Sequence, residues 1–269
     1  AHVNPETRNT QSVREHLSGT MELAEKNCPL EILRYILKVA ILLHDAGKLG
    51  DDFFGYMKDI LTYGEKAIER QSDHITAGGR ILEELVGKNL TSEFIGTVVY
   101  SHHGLQDNIN MESGETLFEK WREKGIELEK IQQRYFEIID RKILMKYLIA
   151  AHGELQKLLG QIDAFVQSSE GRNCGNRKFY LGMFARLALS VLIDSDWTDT
   201  ACFFQGEPHP ERISADRIQE IWQKSITHFE TYVKHLSDSG EKSRLDIYRR
   251  EISDRCLRAA EKENRLYRL

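Results

Sequence analysis

Apolar residues recur at steps of three and four along almost the whole chain, a period that fits helices and little else. Only four prolines occur, none of them inside a periodic segment, and no convincing run alternates polar with apolar residues. A sheet therefore has little to be built from, and the chain is expected to be all-α. With 269 residues, 41% of them hydrophobic, it can bury a sizeable core and reads as one large domain or one domain with an appendage. There is no internal repeat and no low-complexity tract.

Charge and cysteine usage exclude several classes. A net charge of -5 argues against a protein that coats nucleic acid or anionic membrane indiscriminately, so phosphate binding must be local. Cys28, Cys174, Cys202 and Cys256 show no close paired spacing. Neither a disulfide framework nor a cysteine zinc site is expected, which points to a reducing, cytoplasmic setting. No apolar run reaches the roughly 18 residues of a membrane span, and no charged-then-apolar leader opens the chain, so neither membrane nor export is expected.

Taken in order, a first helix should begin near Ser12 and carry His16. A second should begin at Pro29, with Leu33, Ile36, Leu37, Ala40, Ile41 and His44 on one face. His44 then points inward. Asp45 follows, Gly47 is placed to leave the helix through a positive φ, and Lys48 comes four residues after His44. Gly50 opens a loop-rich connection containing Phe53, Phe54, Tyr56 and Met57. Ser72 or Asp73 caps a helix opening with His74 and containing Gly78 and Gly79; adjacent glycines cost helix stability and suit a place where another backbone comes close. A fourth helix starts near Thr91 or Ser92 and ends at His102, His103 and Gly104. A long helical run over 126–165 should break near Gly153 or Gly160. A loop with three positive charges, Arg172, Arg177 and Lys178, leads to a helix over 179–199 with two stripes, one ending on Asp194 and the other on Asp196. Ser214 caps a helix through Leu236 with Ile218, Ile221, Trp222, Ile226, Phe229 and Val233 inward, and 241–269 forms a final charged amphipathic segment.

An inward imidazole beside a carboxylate needs a partner, because a buried unpaired carboxylate is costly. A metal ion, an Arg or Lys, or local hydrogen bonds would serve. His16, His44, Asp45, His74, His102, His103 and one of Asp194 and Asp196 all fall at inward positions or helix ends. Taken singly, each inward histidine is ordinarily a hydrogen-bonded core residue; their number points to metal. This mixture suits iron, manganese, cobalt, nickel or zinc better than calcium or magnesium cages of oxygen alone. One ion would not use all of them. Two ions bridged by Asp45, about 3.5 to 4 Å apart, would, and that arrangement cleaves phosphate esters. Lys48 is a solvated lysine, an ion-pair partner or a phosphate contact. Arg172, Arg177 and Lys178 form either a solvated loop or a nucleic-acid contact. The Phe53, Phe54 and Tyr56 group reads as core or lid, with base stacking the functional alternative. His152, His209, His228 and His235 lack this context and read as surface or structural.

The succession of His16, then His44-Asp45 with Gly47-Lys48, then Ser72-Asp73-His74, then Ser101-His102-His103-Gly104, then Asp194-Ser195-Asp196-Trp197-Thr198-Asp199-Thr200 resembles the HD phosphohydrolase superfamily. More narrowly, it resembles the HD nuclease domain of the CRISPR-associated nuclease-helicase of type I interference systems. The opening Ala1-His2-Val3-Asn4 looks like the start of such proteins, and Glu263 to Leu269 like the lead-in to their helicase, although no glycine-rich phosphate loop follows.

The resemblance implies an HD-domain helical bundle, with the nuclease domain over 1–240 and 241–269 leading toward a helicase. It also implies a metal-dependent nuclease cutting single-stranded DNA, delivered by a helicase in cis or in trans after an RNA-guided surveillance complex opens the target. His16, His44, Asp45 and the terminal aspartate would hold one ion, and Asp45, His74, His102 and His103 the second. The superfamily pattern favours Asp196 as the terminal ligand, while the cleaner apolar stripe favours Asp194. His44, Asp45 and Lys48 are the expected catalytic residues, and Lys48, Arg172, Arg177 and Lys178 the expected nucleic-acid contacts. Two other readings remain: an HD phosphohydrolase acting on small nucleotides, and a catalytically silent module that docks on a partner.

Overall fold

The computed structural model describes residues 1–64, 74–104, 116–168, 171, 176–211, 213–238 and 244–260. The expected cap residues Ser72 and Asp73, the loop residue Arg172 and the closing stretch 261–269 lie outside them. The chain divides into two compact units, Ala1–Pro210 and Glu211–Leu269.

The fold is all-α: eleven helices and one very short sheet are present among the described residues. In the first unit, β1 (His2–Val3) pairs antiparallel with β2 (Thr10–Gln11). Helix α1 (Val13–Asn27) starts where expected, because Ser12 and Glu15 form a reciprocal capping box. Helix α2 (Arg34–His44) starts later than Pro29, after a single 3-10 turn at Glu31–Leu33. Its free N–H groups are met from a distance: Glu154 accepts from Tyr35 N at 2.8 Å and Ile36 N at 3.0 Å.

The stretch after Gly50 is helix α3 (Asp51–Tyr63), not a loop-rich connection. The acidic first turn of Asp51 and Asp52 favours a helix start, and Phe53 is buried while Phe54 is exposed. There follow α4 (Thr76–Val86), α5 (Leu90–Tyr100, capped by Asn89), α6 (Leu117–Arg122) and α7 (Leu128–Ile138). Helices α8 (Arg141–Gln167) and α9 (Arg177–Gln205) complete the unit. The long run breaks at Ile139–Asp140 rather than at Gly153 or Gly160. Asp140 accepts a hydrogen bond from Lys142 N and so acts as a cap, whereas a side chain at either glycine would meet only open space.

Helix α2 is the centre of this unit and packs against α1, α4, α5, α8 and α9. Leu33, Ile36, Ile41 and Leu43 are completely buried around it. The α4 glycines let that helix reach α2: a Cβ on Gly78 would lie 1.9 Å from Leu43 O. Gly47 does not take a positive φ; it sits in a 3-10 turn over Ala46–Leu49, where a Cβ would lie 2.4 Å from His74 O. Its smallness serves backbone contact rather than helix exit.

The second unit contains α10 (Ala215–Asp238) and α11 (Arg244–Ala260). The α10 residues expected to face inward are exposed, Trp222 at 65%. A stripe of apolar residues predicts an amphipathic helix without saying what covers it. Among the described residues no helix is long and apolar enough to cross a membrane.

Candidate metal centre

Several helix ends and two helix interiors deliver their side chains to one place. α1 brings His16 inward on its second turn, and α2 ends at His44 with Asp45 immediately after. The turn after α5 carries His102 and His103, His74 precedes α4, and Asp196 comes from the middle of α9. Asp45 Oδ2 lies 3.2 Å from His16 Nε2 and 3.5 Å from His44 Nε2, while its Oδ1 lies 3.8 Å from His102 Nε2. Asp196 Oδ1 is 3.0 Å from His16 Nε2 and 3.8 Å from His44 Nε2. His74 Nε2 and His103 Nε2 approach to 2.5 Å. Two sets result, His16–His44–Asp45–Asp196 and Asp45–His74–His102–His103, each with one ligand atom per residue within 4.8 Å of the others. Asp45 belongs to both.

The donor atoms have the disposition a cation requires. His44 donates through Nδ1 to Ile41 O at 2.7 Å, His102 through Nδ1 to Val99 O at 2.6 Å, and His16 Nδ1 faces Asp199 Oδ2 at 2.7 Å. With Nδ1 so occupied, the Nε2 atoms of His16, His44 and His102 point at Asp45 and Asp196. The Nε2 atoms of His44 and His102 and the Oδ1 of Asp45 are buried without a hydrogen-bond partner among the described residues, while His16 Nε2 faces only the carboxylates of Asp45 and Asp196. Burying three such atoms unsatisfied would be expensive for no purpose; imidazole nitrogen and carboxylate oxygen are the donors that a divalent transition ion takes. The residues fit the group.

Electrostatics agree. Burial opposes charge on His16, but the carboxylates of Asp196, Asp199 and Asp45 outweigh it and push its pKa up to about 10. Burial also opposes charge on Asp45, yet Lys48, His44 and His16 hold its carboxyl well below the ordinary range. Burial, then the neighbouring His44, pushes His102 down to about 3, and burial, then His74, lowers His103. The first set is wholly buried. The second opens outward, with His74 half-buried and His103 exposed.

Of the two candidate terminal aspartates, the structure brings Asp196 into the cluster and leaves Asp194 exposed, accepting a hydrogen bond from Asn27 Nδ2 at 3.3 Å. The cleaner stripe misled because α9 buries the face of Ala188, Leu189, Val191, Leu192, Ser195, Asp196 and Asp199. Lys48 is nearly buried, its Nζ 2.6 Å from Asp45 Oδ2 and 3.2 Å from His2 Nε2. Arg172 lies outside the described residues. Arg177 and Lys178 are exposed at the start of α9, and Arg177 pairs with Asp163 at 3.2 Å. Nineteen residues separate Arg177 from Asp196 on that helix, about 28 Å at 1.5 Å per residue, so the pair does not line this centre. Phe53 stands with its ring centroid 5.7 Å from that of His74, at the edge of the site.

The sequence assigns no role to Gln11 or to Asp199, which stands in the quoted motif, and His209, read there as surface or structural, instead lies 2.8 Å from Asp199 Oδ1. Asp199 is buried against His16, and the signal for it was its position three residues beyond Asp196, on the same helix face.

A family model described as Cas3, HD domain, matches residues 3–163. The match includes His16, His44, Asp45, His74, His102 and His103 and ends before α9, which supplies Asp196. No curated protein matches the chain. An all-α fold, a cluster of imidazoles and carboxylates built to hold divalent metal, and a match over more than half the length lead to one conclusion: the chain belongs to the Cas3 HD-domain family of metal-dependent hydrolases.

Proposed function

We propose that this chain is a nuclease that cleaves the phosphodiesters of single-stranded DNA with two divalent transition-metal ions. The observation that carries the reading is Asp45, shared between two ligand sets in which the Nε2 atoms of His44 and His102 have no hydrogen-bond partner among the described residues. His16, His44, Asp45 and Asp196 would hold one ion, and Asp45, His74, His102 and His103 the other. Imidazoles in this proportion favour iron, manganese, cobalt, nickel or zinc over magnesium. Ions held by these residues would supply Lewis-acid activation of water near neutral pH and offset charge on the phosphodiester.

The protein's own groups do the rest. The Nδ1 contacts of His16, His44 and His102 fix ring orientation before substrate arrives, so little reorganisation accompanies reaction. Lys48, held at Asp45, would be the cation that meets a phosphate oxygen. Substrate would enter from the side of His74 and His103, the open side of the centre. In this reading 241–269 leads toward a helicase acting in cis or in trans, and an RNA-guided CRISPR surveillance complex opens the target during interference.

The test is a comparison of single-stranded DNA, duplex DNA and free nucleotides as substrates, with manganese, cobalt, nickel, zinc, iron(II) and magnesium in turn. Cleavage of single-stranded DNA supported by a transition ion, and lost in His44→Ala and Asp45→Ala, is the expected result. Hydrolysis confined to free nucleotides would replace the nuclease with a nucleotide phosphohydrolase.

A further inference from the structure

We infer that Asp199 is a positioning residue for the metal centre: it holds His16 in the tautomer that presents Nε2 to a cation, and is itself held by Gln11 and His209. The inference rests on the metal-centre reading above. Asp199 Oδ2 lies 2.7 Å from His16 Nδ1 and accepts from Gln11 Nε2 at 2.9 Å, while its Oδ1 lies 2.8 Å from His209 Nε2. Asp199 is 3% exposed. Room for it exists because the facing α1 position is a glycine: a Cβ on Gly19 would fall 1.9 Å from Asp199 Oδ1.

The need for this carboxylate follows from where His16 sits. His44 and His102 lie at or just beyond helix C-termini, where the last four carbonyls lack partners within the helix. Each imidazole therefore finds its Nδ1 acceptor three residues back, Ile41 O or Val99 O. His16 is the fourth residue of α1, and the carbonyl three residues before it, on Val13, is committed to the helix. No local acceptor is free, so one comes from α9. A charged acceptor in place of a neutral carbonyl also makes the opposite nitrogen a stronger donor to metal. Affinity at the His16 set thereby becomes linked to the docking of α9 on α1, which the other set does not share.

Cobalt(II) titrated into the metal-stripped chain, followed by visible absorption, tests this. Asp199→Asn should weaken one equivalent about 10- to 100-fold and leave the second unchanged. In the zinc-loaded chain, long-range 1H–15N spectra should show the His16 ring altered by Asp199→Asn, with the His44 and His102 rings as in the unsubstituted protein. His209→Gln, a change at the outer end of the network, should act in the same direction by a few-fold, and carries the test if Asp199→Asn does not fold. Both variants titrating as the unsubstituted protein, or both equivalents weakening alike with the His16 tautomer kept, overturns the role of Asp199. Failure of the metal-centre reading looks different: no cobalt uptake by the unsubstituted chain, or normal uptake by His16→Ala.

Discussion

Gly47 and His74 meet backbone to backbone: a methyl placed on Gly47 would stand 2.4 Å from the His74 carbonyl oxygen and 2.5 Å from its Cα. The turn that follows Asp45 thus sets the position of a histidine far along the chain. Gly47→Ala must push His74 away, at a cost of about 1 to 3 kcal/mol for overpacking. The expected result is a lower melting temperature and weaker metal binding at the set that contains His74, with the His16 set retained. Equal melting and equal uptake of both ions in this variant would contradict the contact.

The two aspartates two residues apart on α9 should behave oppositely. Asp196→Asn removes a buried oxygen that faces His16 and His44, and is expected to lower affinity for one ion at least tenfold. Asp194→Asn touches an exposed side chain and should change stability by no more than about 0.5 kcal/mol and metal content not at all. Metal analysis of the two purified variants decides the matter.

Lys48 offers a prediction in which metal reverses the outcome. Its ammonium and the Asp45 carboxylate form a nearly buried pair, and breaking such a pair costs about 3 to 5 kcal/mol because one charge is left alone. In the metal-stripped protein Lys48→Met should therefore lower the melting temperature sharply. With metal restored, the cations replace the lost positive charge, and most of the difference should vanish. A loss of equal size with and without metal would show that Lys48 matters through packing alone.

The pH dependence has a definite sign. In the metal-free protein the folded pKa of His16 is raised to about 10, so its stabilising contribution is full below its unfolded value of about 6.5 and is lost as pH rises toward 10. Asp45 and Asp196 are lowered, so theirs is present above about 4 and lost on acidification. Between those limits His16 carries a proton that a cation must displace, whereas His102, lowered to about 3, carries none. Calorimetry in buffers of different ionisation enthalpy should count about one proton released on filling the His16 set, with affinity there rising about tenfold per pH unit between 7 and 9.

Much of this was legible in the residue order, and the remainder was hidden for physical reasons. Helix α2 could be read because its apolar face repeats without interruption up to His44, and α1 because Ser12 and Glu15 form a cap recognisable in sequence. Helix α3 was missed because Gly55, aromatics and acids in 51–63 look like turn chemistry until burial of Phe53 shows which face matters. Asp194 and Asp196 were not separable because α9 is apolar almost all round, so periodicity alone does not say which face α1 will cover. The start of α2 moved from Pro29 because its N–H groups are met by Glu154, a residue more than a hundred positions away. Local pattern carries helices; long-range partners choose their ends and faces.

The most direct measurement is the electron paramagnetic resonance spectrum of the manganese(II)-loaded chain, with metal counted in the same sample. A pair of ions bridged by Asp45 predicts two manganese per chain and a spin-coupled signal that disappears in Asp45→Ala. A single ion per chain, an isolated six-line manganese spectrum, or a coupled signal that survives Asp45→Ala would contradict it.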